Sequence, residues 1–381
     1  MYLVEHDAKA LLAARGIPVP KGALVTDAEE LPSLPPGPWV VKAQVPAGGR
    51  GKAGGVRRAD TEAAVREAVS EILRLHIAGR RVRECRIEER VSFAHEAYAS
   101  ILLDPVSAAV RVLLAPRGGM DIESLAEETG LVRSGLCDPD AASIAACAAG
   151  LARDLPHPLG AALGSAIHQL AAAFCAYECT LLEVNPLFVM PDGTWCAGDA
   201  KMITDDSALP RQSAVAALLE RRAHAYPEAH LKLHHGCDYV VVDPEGEIGL
   251  LTTGAGLSMM LIDELRASGL KPYNFLDVRT GGLRGDPTRL IHVLEWIAQG
   301  PRVKVLLVNI FAGITDLGEF ARLLLAALRS VPEFRAPVVA RLVGNGFEAA
   351  RAALAEGDIP VVTDLEVAVS RVREKLGVEA A

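Results

Sequence analysis

The second half of the chain repeats one order of segments: an apolar stretch, a loop, and then a stretch with helical periodicity. The predicted strands after about Glu245 lie at 248–252, 274–276, 303–310, 338–343 and 360–362, and the predicted helices lie at about 258–267, 286–298, 318–330, 347–355 and 363–376. Apolar runs such as VKVLLVNI are typical of strands that helices cover on both faces. The alternation therefore predicts an α/β domain with a doubly wound parallel sheet.

Ligands of such sheets bind at the carboxyl ends of the strands, so the loops after the predicted strands are the ones of interest. They read TTGAGLSM from Thr252, LDVRTGGLRGD from Leu276 and NIFAGITD from Asn309. GAGLSM begins like a dinucleotide-binding turn, but it lacks the third glycine, and no ribose-binding acid can be assigned. Dinucleotide binding is therefore not expected.

The first half mixes helices with short strands, which predicts a separate α+β domain. Helical periodicity covers 5–15, 61–76 and 159–177. A Pro-Asp-Gly turn at 191–193 separates two apolar segments between Leu181 and Met202, which predicts a β-hairpin. The stretch 204–236 is rich in alanine and arginine, and we predict a helical connector there. The predicted domains are therefore 1–230 and 231–381.

Composition argues against several functional classes. The chain has 39 Lys and Arg against 48 Asp and Glu, so it lacks the basic excess that non-specific nucleic-acid binding requires. We expect no apolar run that approaches the roughly eighteen residues needed to span a bilayer. The N-terminus carries acids where a signal peptide needs positive charge. The seven cysteines are scattered without a zinc-site pattern. A cytoplasmic protein with reduced thiols and no membrane or nucleic-acid partner is predicted.

One lysine interrupts an apolar strand: Lys42 lies in PWVVKAQV, directly before the glycine-rich loop PAGGRGKAGG. A buried ammonium without a partner is costly, so an amine at this place needs an explanation. Glycines let backbone N–H groups converge on an anion, and Arg50 and Lys52 add positive charge to the loop. The stretch favours a nucleoside triphosphate site, and a flexible surface loop with incidental basic residues is the alternative.

The predicted hairpin carries a second group of polar residues. Glu183 and Asn185 lie two apart on the strand LLEVNPL, and Asp199 and Lys201 lie two apart on the return strand, so each pair shares a face. A turn centred on residues 192 and 193 places Asn185 almost opposite Asp199. An amide oxygen and a carboxylate in that arrangement suit Mg²⁺. A solvated surface hairpin is the alternative, but the strand lysine and glycine loop upstream favour a nucleotide–Mg²⁺ site.

These parts form neither a P-loop, because GxxxxGK[ST] is missing, nor a protein kinase site, which needs an HRD loop. A strand lysine, a glycine-rich loop and an Mg²⁺ hairpin resemble the ATP-grasp fold. The segments VVKAQVPAGGRGKAGG, LLEVNPL, DAKM, GAGLSM, NFLDV and LLVNIFAGI follow one another in this order. With them, nearly the whole chain resembles the β subunit of succinyl-CoA synthetase, an ADP-forming carboxylate–CoA ligase. The resemblance implies an N-terminal ATP-grasp domain followed by a flavodoxin-like CoA-ligase domain.

The resemblance also implies a reaction and a partner. In the family, ATP phosphorylates a histidine of an α subunit, the phosphate passes to a carboxylate, and CoA displaces it from the acyl phosphate. No histidine of this chain lies in the glycine-rich GHAG-type setting of that phosphorylated residue. The chain is therefore expected to act with an α subunit, as αβ or α2β2, that carries the phosphohistidine and most of the CoA site.

Site residues follow from the resemblance by position. The expected ATP contacts are Lys42, Gly49, Arg50, Gly51, Glu88, Val91 and Glu96. The expected Mg²⁺ ligands are Asn185 and Asp199, and Glu183 matches the acid that contacts the phosphohistidine. The carboxylate substrate would meet the loop of Gly313, Ile314 and Thr315, where backbone N–H groups before a helix suit an anion.

Two departures from the family pattern concern the acid. Thr253 stands where the family has an asparagine, and Arg279 and Arg284 lie in a loop that is DVGGGA in the family. Two arginines near the acyl pocket favour a dicarboxylate with an extra acidic or hydroxyl group, such as malate, over plain succinate. Contact of these arginines with the α subunit or with solvent is the alternative.

Two other functions stay open. One is a non-catalytic nucleotide-binding partner subunit, against which the charged clamp of Lys42, Glu183, Asn185 and Asp199 argues. The other is a single-chain carboxylate–amine ligase with the ATP-grasp fold, for which the second domain would have no purpose.

Overall fold

The computed structural model describes residues 1–120, 131–280, 283, 285–313 and 315–378. The chain divides into two compact units, Met1–Ala225 and Tyr226–Ala381, and each has hydrophobic clusters of its own. The division falls inside the predicted connector, which is helical. It contains 3₁₀ turns at Asp206–Arg211 and Ala223–Ala225 and α-helices at Ser213–Arg221 and Pro227–His235.

The first unit begins with helix α1 (Glu5–Ala13) and a four-stranded antiparallel sheet. Its strands are β1 (Gly22–Val25), β2 (Trp39–Ala43), β3 (Val56–Ala59) and β6 (Cys85–Glu89), in the spatial order β1-β6-β2-β3. Helix α2 (Glu62–Ile72) and the short hairpin β4 (His76–Ile77) and β5 (Arg80–Arg81) connect β3 to β6. The helix predicted at 61–76 ends earlier, because His76 pairs with Arg81 as a strand residue.

The second sheet of the first unit has six described strands. They are β7 (His95–Asp104), β8 (Ala109–Ala115), β9 (Arg133–Cys137), β10 (Cys179–Val189), β11 (Trp195–Ala197) and β12 (Lys201–Thr204). The order is β11-β10-β7-β8-β9, and β12 also pairs with β10. The predicted hairpin is thus confirmed, with β10 as its long arm. Helices α3 (Ala141–Ala152) and α4 (Leu159–Ala176) pack against each other beside this sheet.

Helix α4 corrects one expectation. Its 18 residues make it long and apolar enough to cross a membrane by length and composition, whereas no such run was expected from the sequence. The run is built largely from alanine and glycine, so it reads as less apolar than a leucine-rich segment. Half of it is buried, and it packs on β7 and β10 through residues such as Leu163, Ile167, Leu170 and Phe174. It has the contacts of a core helix, which passes the same test.

The second unit contains the predicted parallel sheet. Strands β14 (Ile248–Thr252), β16 (Val305–Ala312), β17 (Val338–Gly344) and β18 (Val361–Val362) pair in this order, all parallel. Helix α6 (Pro227–His235) opens the unit, following α5 (Ser213–Arg221) of the first. The helices between and after the strands are α7 (Ala255–Ala267), α8 (Thr288–Ala298), α9 (Leu317–Ser330), α10 (Phe347–Ala355) and α11 (Leu365–Leu376).

Alternate residues of the central strand β16 enter two different hydrophobic clusters. Val305 and Leu307 join the cluster that contains residues of α7 and α11. Leu306, Val308 and Ile310 join the cluster that contains residues of α8, α9 and α10. Because successive side chains of a strand point to opposite faces, helices cover both faces of this sheet. The doubly wound fold predicted from the apolar runs is therefore confirmed.

The strand predicted at 274–276 joins the sheet in an unexpected way. β15 (Asn274–Asp277) forms its backbone ladder with β13 (Asp238–Val241), antiparallel. Toward β14, the Tyr273 and Val278 N–H groups at its two ends donate to the Ile248 and Thr252 carbonyls, at 2.8 and 3.0 Å. Between them a side chain makes the link: Asn274 Oδ1 accepts a hydrogen bond from the Leu250 N–H at 2.9 Å, and Nδ2 donates to the Leu250 carbonyl at 2.9 Å. The buried amide satisfies a strand edge that would otherwise lose both bonds.

Candidate functional site

Lys42 is almost fully buried in β2, and it is surrounded by acceptors. Its Nζ lies 2.8 Å from Glu5 Oε1, 2.6 Å from Glu88 Oε1 and 2.7 Å from the Gly198 carbonyl oxygen. Two carboxylates and a carbonyl offset the cost of burying an ammonium. The strand lysine singled out in the sequence is therefore held at one position by groups from three different elements.

A second lysine, Lys9 of α1, occupies the same centre. It is fully buried, and its Nζ lies 2.7 Å from Glu5 Oε1, 2.8 Å from Glu88 Oε2 and 2.9 Å from the Gly198 oxygen. Glu5 and Glu88 therefore each bridge Lys9 and Lys42. Lys42 and Glu88 were expected from the sequence, whereas Glu5 and Lys9 were not. Their spacing of four residues on a predicted helix was the available signal, and it is equally typical of a solvated face.

Opposite charges decide the ionisation of this centre. Burial alone would lower the pKa of Lys42, but the carboxylates of Glu5 and Glu88 raise it above its ordinary value. Burial would raise the pKa of Glu5, but Lys42, Lys9 and Arg50 hold it well below its ordinary value of 4.5. The pKa of Glu88 is lowered in the same way by Lys42 and Lys9, against burial. Lys42, Glu5 and Glu88 are therefore charged at neutral pH.

Arg50 brings the glycine-rich loop to the hairpin. Its Nη2 donates to both carboxylate oxygens of Asp199, at 2.8 and 2.7 Å, and its Nη1 lies 2.7 Å from Glu5 Oε2. A predicted ATP contact and a predicted metal ligand, 149 residues apart in the sequence, are thereby in direct contact. Gly49 has a φ of +72°, which a side chain would strain, and a Cβ at Gly49 or Gly51 would face open space.

We call these residues, with the buried Arg86 that donates to Glu88 at 2.8 Å, the charge cluster: Glu5, Lys9, Lys42, Arg50, Arg86, Glu88 and Asp199. It has four cationic and three anionic side chains, so one positive charge is left over for an anionic ligand. Lys42 and Arg50 each keep about 10% of the side chain exposed and Asp199 keeps 30%, which places these three at its accessible edge.

The register of the hairpin agrees with the prediction. Glu183 pairs with Lys201 and Leu187 pairs with Ala197, so the same register holds on both sides of residues 185 and 199. Between the two paired segments, Asn185 Oδ1 accepts the Gly119 N–H at 2.7 Å and Nδ2 donates to the Met120 carbonyl at 2.9 Å. The amide is thus oriented by the loop that follows β8.

Other predicted residues lie around the same strands. Tyr98 Oη donates to Glu183 Oε2 at 3.1 Å, which orients the predicted phosphohistidine contact. Glu96 on β7 reaches the loop that Asn185 contacts, because a Cβ on Gly119 would lie only 2.6 Å from Glu96 Oε2. Val91, half-buried, lies in the connection from β6 to β7.

In the second unit, the predicted acyl-pocket residues follow β14, β15 and β16. The Thr315 hydroxyl lies 3.0 Å from that of Thr280, so the loops after β15 and β16 meet. Helix α9 begins at Leu317, and the Asp316 carboxylate accepts the Glu319 N–H at 2.8 Å. The half-buried Thr253 directly follows β14, and Gly313 follows β16. Ile314 and Arg284 lie outside the described residues.

Arg279 is engaged by an acid. Its Nη2 donates to Asp238 Oδ2 at 2.6 Å, and Lys232 Nζ lies 2.8 Å from the other oxygen of that carboxylate. The Arg279 side chain is 56% exposed, and its backbone has a φ of +47°. The guanidinium predicted to bind substrate is therefore directed toward β13.

Comparisons with known proteins agree with the resemblance. Residues 2–189 match the model of the ATP-grasp domain, and residues 251–373 match that of the CoA-ligase family. The succinate–CoA ligase [ADP-forming] subunit beta of Chloroflexus aurantiacus is 39% identical, over 99% of this chain and 100% of that protein. The protein of the same name from Halobacterium salinarum is 36% identical, over 98% of each chain.

One solved structure supports the fold over the whole length. ATP citrate lyase from Methanothrix soehngenii, in complex with citrate and coenzyme A, matches with a TM-score of 0.71 over 99% of each chain. The sequence identity of 19% limits that likeness to the fold. Taken with the two domain matches and the full-length relatives, it leads to one conclusion. The chain belongs to the family of ADP-forming succinate–CoA ligase β subunits.

Proposed function

We propose that the chain is the nucleotide-binding subunit of an ADP-forming carboxylate–CoA ligase. It acts with an α subunit whose histidine takes the phosphate from ATP and passes it to a carboxylate, before CoA forms the thioester. The observation that carries the proposal is the contact of Arg50 with Asp199 beside the buried Lys42. It joins the glycine-rich loop, the strand lysine and the hairpin acid in one place.

The charges at the accessible edge suit a nucleoside triphosphate. Lys42 and Arg50 would bind phosphate oxygens, while Gly49 and Gly51 leave the loop open to a close approach of the backbone. Glu88 would hold Lys42 in place, and Glu96 and Val91 would contact the rest of the nucleotide. Preorganised positive charge stabilises a transferring phosphoryl group because its orientation requires no further reorganisation.

The donor set of the hairpin fits Mg²⁺. Asn185 offers an amide oxygen and Asp199 a carboxylate, which are hard oxygen ligands, and the Asp199 carboxylate already attracts a cationic group, Arg50. When bound, Mg²⁺ would supply charge neutralisation at the phosphates. The Gly119 N–H and the Met120 carbonyl hold the Asn185 amide in one orientation. The Arg50 guanidinium holds the Asp199 carboxylate.

Glu183 would receive the histidine of the α subunit. Its carboxylate accepts the Tyr98 hydroxyl, so it has a defined orientation on the same strand as Asn185. A carboxylate next to an imidazole stabilises the imidazolium form and orients the ring. Glu183 is thus proposed as the catalytic acid residue of this chain, and Tyr98 as its positioning residue.

The acid would bind in the second unit, at the loops of Thr253, Gly313, Ile314 and Thr315. Succinate is the acid in the names of the relatives. A substituted dicarboxylate such as malate is the second candidate, because Thr253 replaces an amide and Arg279 can reach a second polar group if it leaves Asp238. An αβ or α2β2 assembly in the cytoplasm completes the proposal.

Co-expression with an α subunit tests the proposed function. The purified complex should form ADP in a CoA-dependent reaction with succinate or a related dicarboxylate, whereas the chain alone should bind ATP–Mg²⁺ and form no thioester. Calorimetric titration and a thioester assay, with and without the α subunit, measure the two properties. Thioester formation by the chain alone would refute the requirement for an α subunit, and failure to bind ATP–Mg²⁺ would refute the nucleotide site.

A further inference from the structure

Four histidines form a row on two helices of the second unit. His230, His234 and His235 lie on α6, and His292 lies on α8. The ring centroids of His230 and His234 are 4.2 Å apart, those of His234 and His235 are 6.4 Å apart, and those of His235 and His292 are 4.2 Å apart. The chain has ten histidines in all, so four of them share this one surface. None of the four has a part in the proposed ligase reaction.

The pair of His235 and His292 connects the two helices. Both rings are half-buried, and their planes are tilted by 45° to each other. His292 Nδ1 lies 3.0 Å from Glu295 Oε2. With the proton on Nδ1, that hydrogen bond leaves the lone pair on Nε2, and a carboxylate behind an imidazole is the usual support of a metal-binding histidine.

A neighbouring cation, Arg289, is directed elsewhere. Its Nη1 donates to the carbonyl oxygens of Val278 and Arg279, at 3.3 and 3.2 Å. Imidazole binds a metal ion in its neutral form, through the lone pair of a ring nitrogen.

We propose that His235 and His292 form a binding site for a divalent transition-metal ion that joins α6 to α8. His234 and His230, spaced four residues apart on one face of α6, form a second pair of imidazoles beside it, with ring centroids 4.2 Å apart. Imidazole ligands select Zn²⁺, Ni²⁺ or Cu²⁺, whereas Mg²⁺ prefers oxygen. The site is therefore chemically distinct from the proposed Mg²⁺ hairpin, and it is independent of the ligase function. An ion bound there stabilises the folded second unit.

The test uses the full chain without an affinity tag, titrated with ZnCl₂ and NiCl₂ by calorimetry and with CoCl₂ by visible absorption. His235→Phe and His292→Phe keep an aromatic ring but remove the ligand nitrogens. Both variants should lose the high-affinity site and the rise in Tm that Zn²⁺ causes, while their Tm without metal stays near that of the unsubstituted chain. Glu295→Gln should weaken binding by about 10- to 100-fold. His76→Ala, an exposed histidine of the first unit, is the matched control and should change nothing.

Two results would overturn the proposal. One is a Zn²⁺ affinity and Tm shift in His235→Phe and His292→Phe equal to those of the unsubstituted chain, which would mean that the rings only stack. The other is the same partial loss in His76→Ala as in these variants, which would mean diffuse binding to surface histidines. CoA-dependent ADP formation with the α subunit should be unchanged in His292→Phe. Failure of the metal-site proposal can therefore be distinguished from failure of the proposed ligase function.

Discussion

The two groups of predicted site residues differ in how their charges are held. In the charge cluster, every ionic side chain contacts at least one of opposite charge, and Glu5 and Lys9 are almost inaccessible, with at most 1% of each side chain exposed. In the second unit, the ion pair of Arg279 and Asp238 is 56% and 28% exposed, and the loops meet through the hydroxyls of Thr280 and Thr315. The first group is preorganised by burial, whereas the second can rearrange at low cost. Phosphoryl transfer needs preorganised charges, whereas a site that selects among acids tolerates side chains that rearrange.

The largest effect is expected from breaking the centre of the cluster. Lys9→Met removes a fully buried cation from Glu5 and Glu88, and breaking a buried pair in this way costs about 3–5 kcal/mol of unfolding free energy. Arg57→Met is the matched control, because Arg57 and Glu71 form a pair with about half of each side chain exposed, worth about 0–1 kcal/mol. Urea unfolding followed by tryptophan emission compares the two. Equal midpoints for both variants would show that the cluster is not the stabilising centre.

The hairpin ligands should affect catalysis more than stability. Asn185→Ala or Asp199→Ala is expected to slow Mg²⁺-dependent phosphorylation of the α-subunit histidine by about 10²- to 10³-fold, since positioned charge at the phosphate contributes that much. Asp192→Ala, in the exposed turn of the same hairpin, should leave the rate unchanged. The measurement is the rate of phosphohistidine formation in the αβ complex. Full activity of both hairpin variants would remove Asn185 and Asp199 from the proposed metal site.

The second unit offers a smaller and more selective effect. If Arg279 contacts the acid, Arg279→Ala should narrow the preference for a substituted dicarboxylate over succinate, by roughly ten- to a hundredfold in kcat/KM. Asp238→Asn should widen the preference, because it releases the guanidinium from its ion pair. A panel of dicarboxylates measured with the αβ complex provides the ratio. If succinate is the best acid and neither substitution changes the ranking, Arg279 has no role in the pocket.

The smallest effect concerns pH. The pKa of Glu5 in the folded chain lies below 4.5, so its stabilising contribution is present above pH 4.5 and is lost as the pH falls through the folded-state pKa. Glu5→Gln removes this proton uptake, and its stability should therefore fall less steeply below pH 4.5 than that of the unsubstituted chain. Glu71→Gln, at the half-exposed pair, should keep the original slope. Urea midpoints measured from pH 7 downward give the slopes, and identical slopes for all three chains would contradict the assignment.

Much of the fold and part of the site could be predicted because they depend on local patterns. The apolar runs VKVLLVNI and PVVARLV correspond to strands β16 and β17, and the Pro-Asp-Gly turn joins strands whose register on both sides of Asn185 and Asp199 agrees with the prediction. Lys42 and Arg50 were identified because a lysine in an apolar strand and an arginine among glycines are unusual in themselves. The roles of these residues stay predictions until the experiments above are done.

The sequence could not reveal the partners that these residues have. Glu5 and Lys9 look like an ordinary pair on the face of a helix, and only the packing of α1 against β2 and β6 turns them into the centre of a buried network. Arg279 looks like a free cation in a loop, and its partner Asp238 lies 41 residues earlier, on a strand that was not predicted. Helix α4 passes as a membrane span by composition, until its contacts with β7 and β10 are known.

Most elements of the second unit, the two-part organisation and the family could be predicted from the sequence, because periodicity, turn residues and motif order are local properties. Which charges meet depends on the tertiary structure. Coulomb energies depend on the distance between atoms and on their access to water, and the sequence specifies neither for residues far apart along the chain. For this reason the Arg50–Asp199 contact, the Lys9 centre and the histidine row on α6 and α8 became visible only in three dimensions.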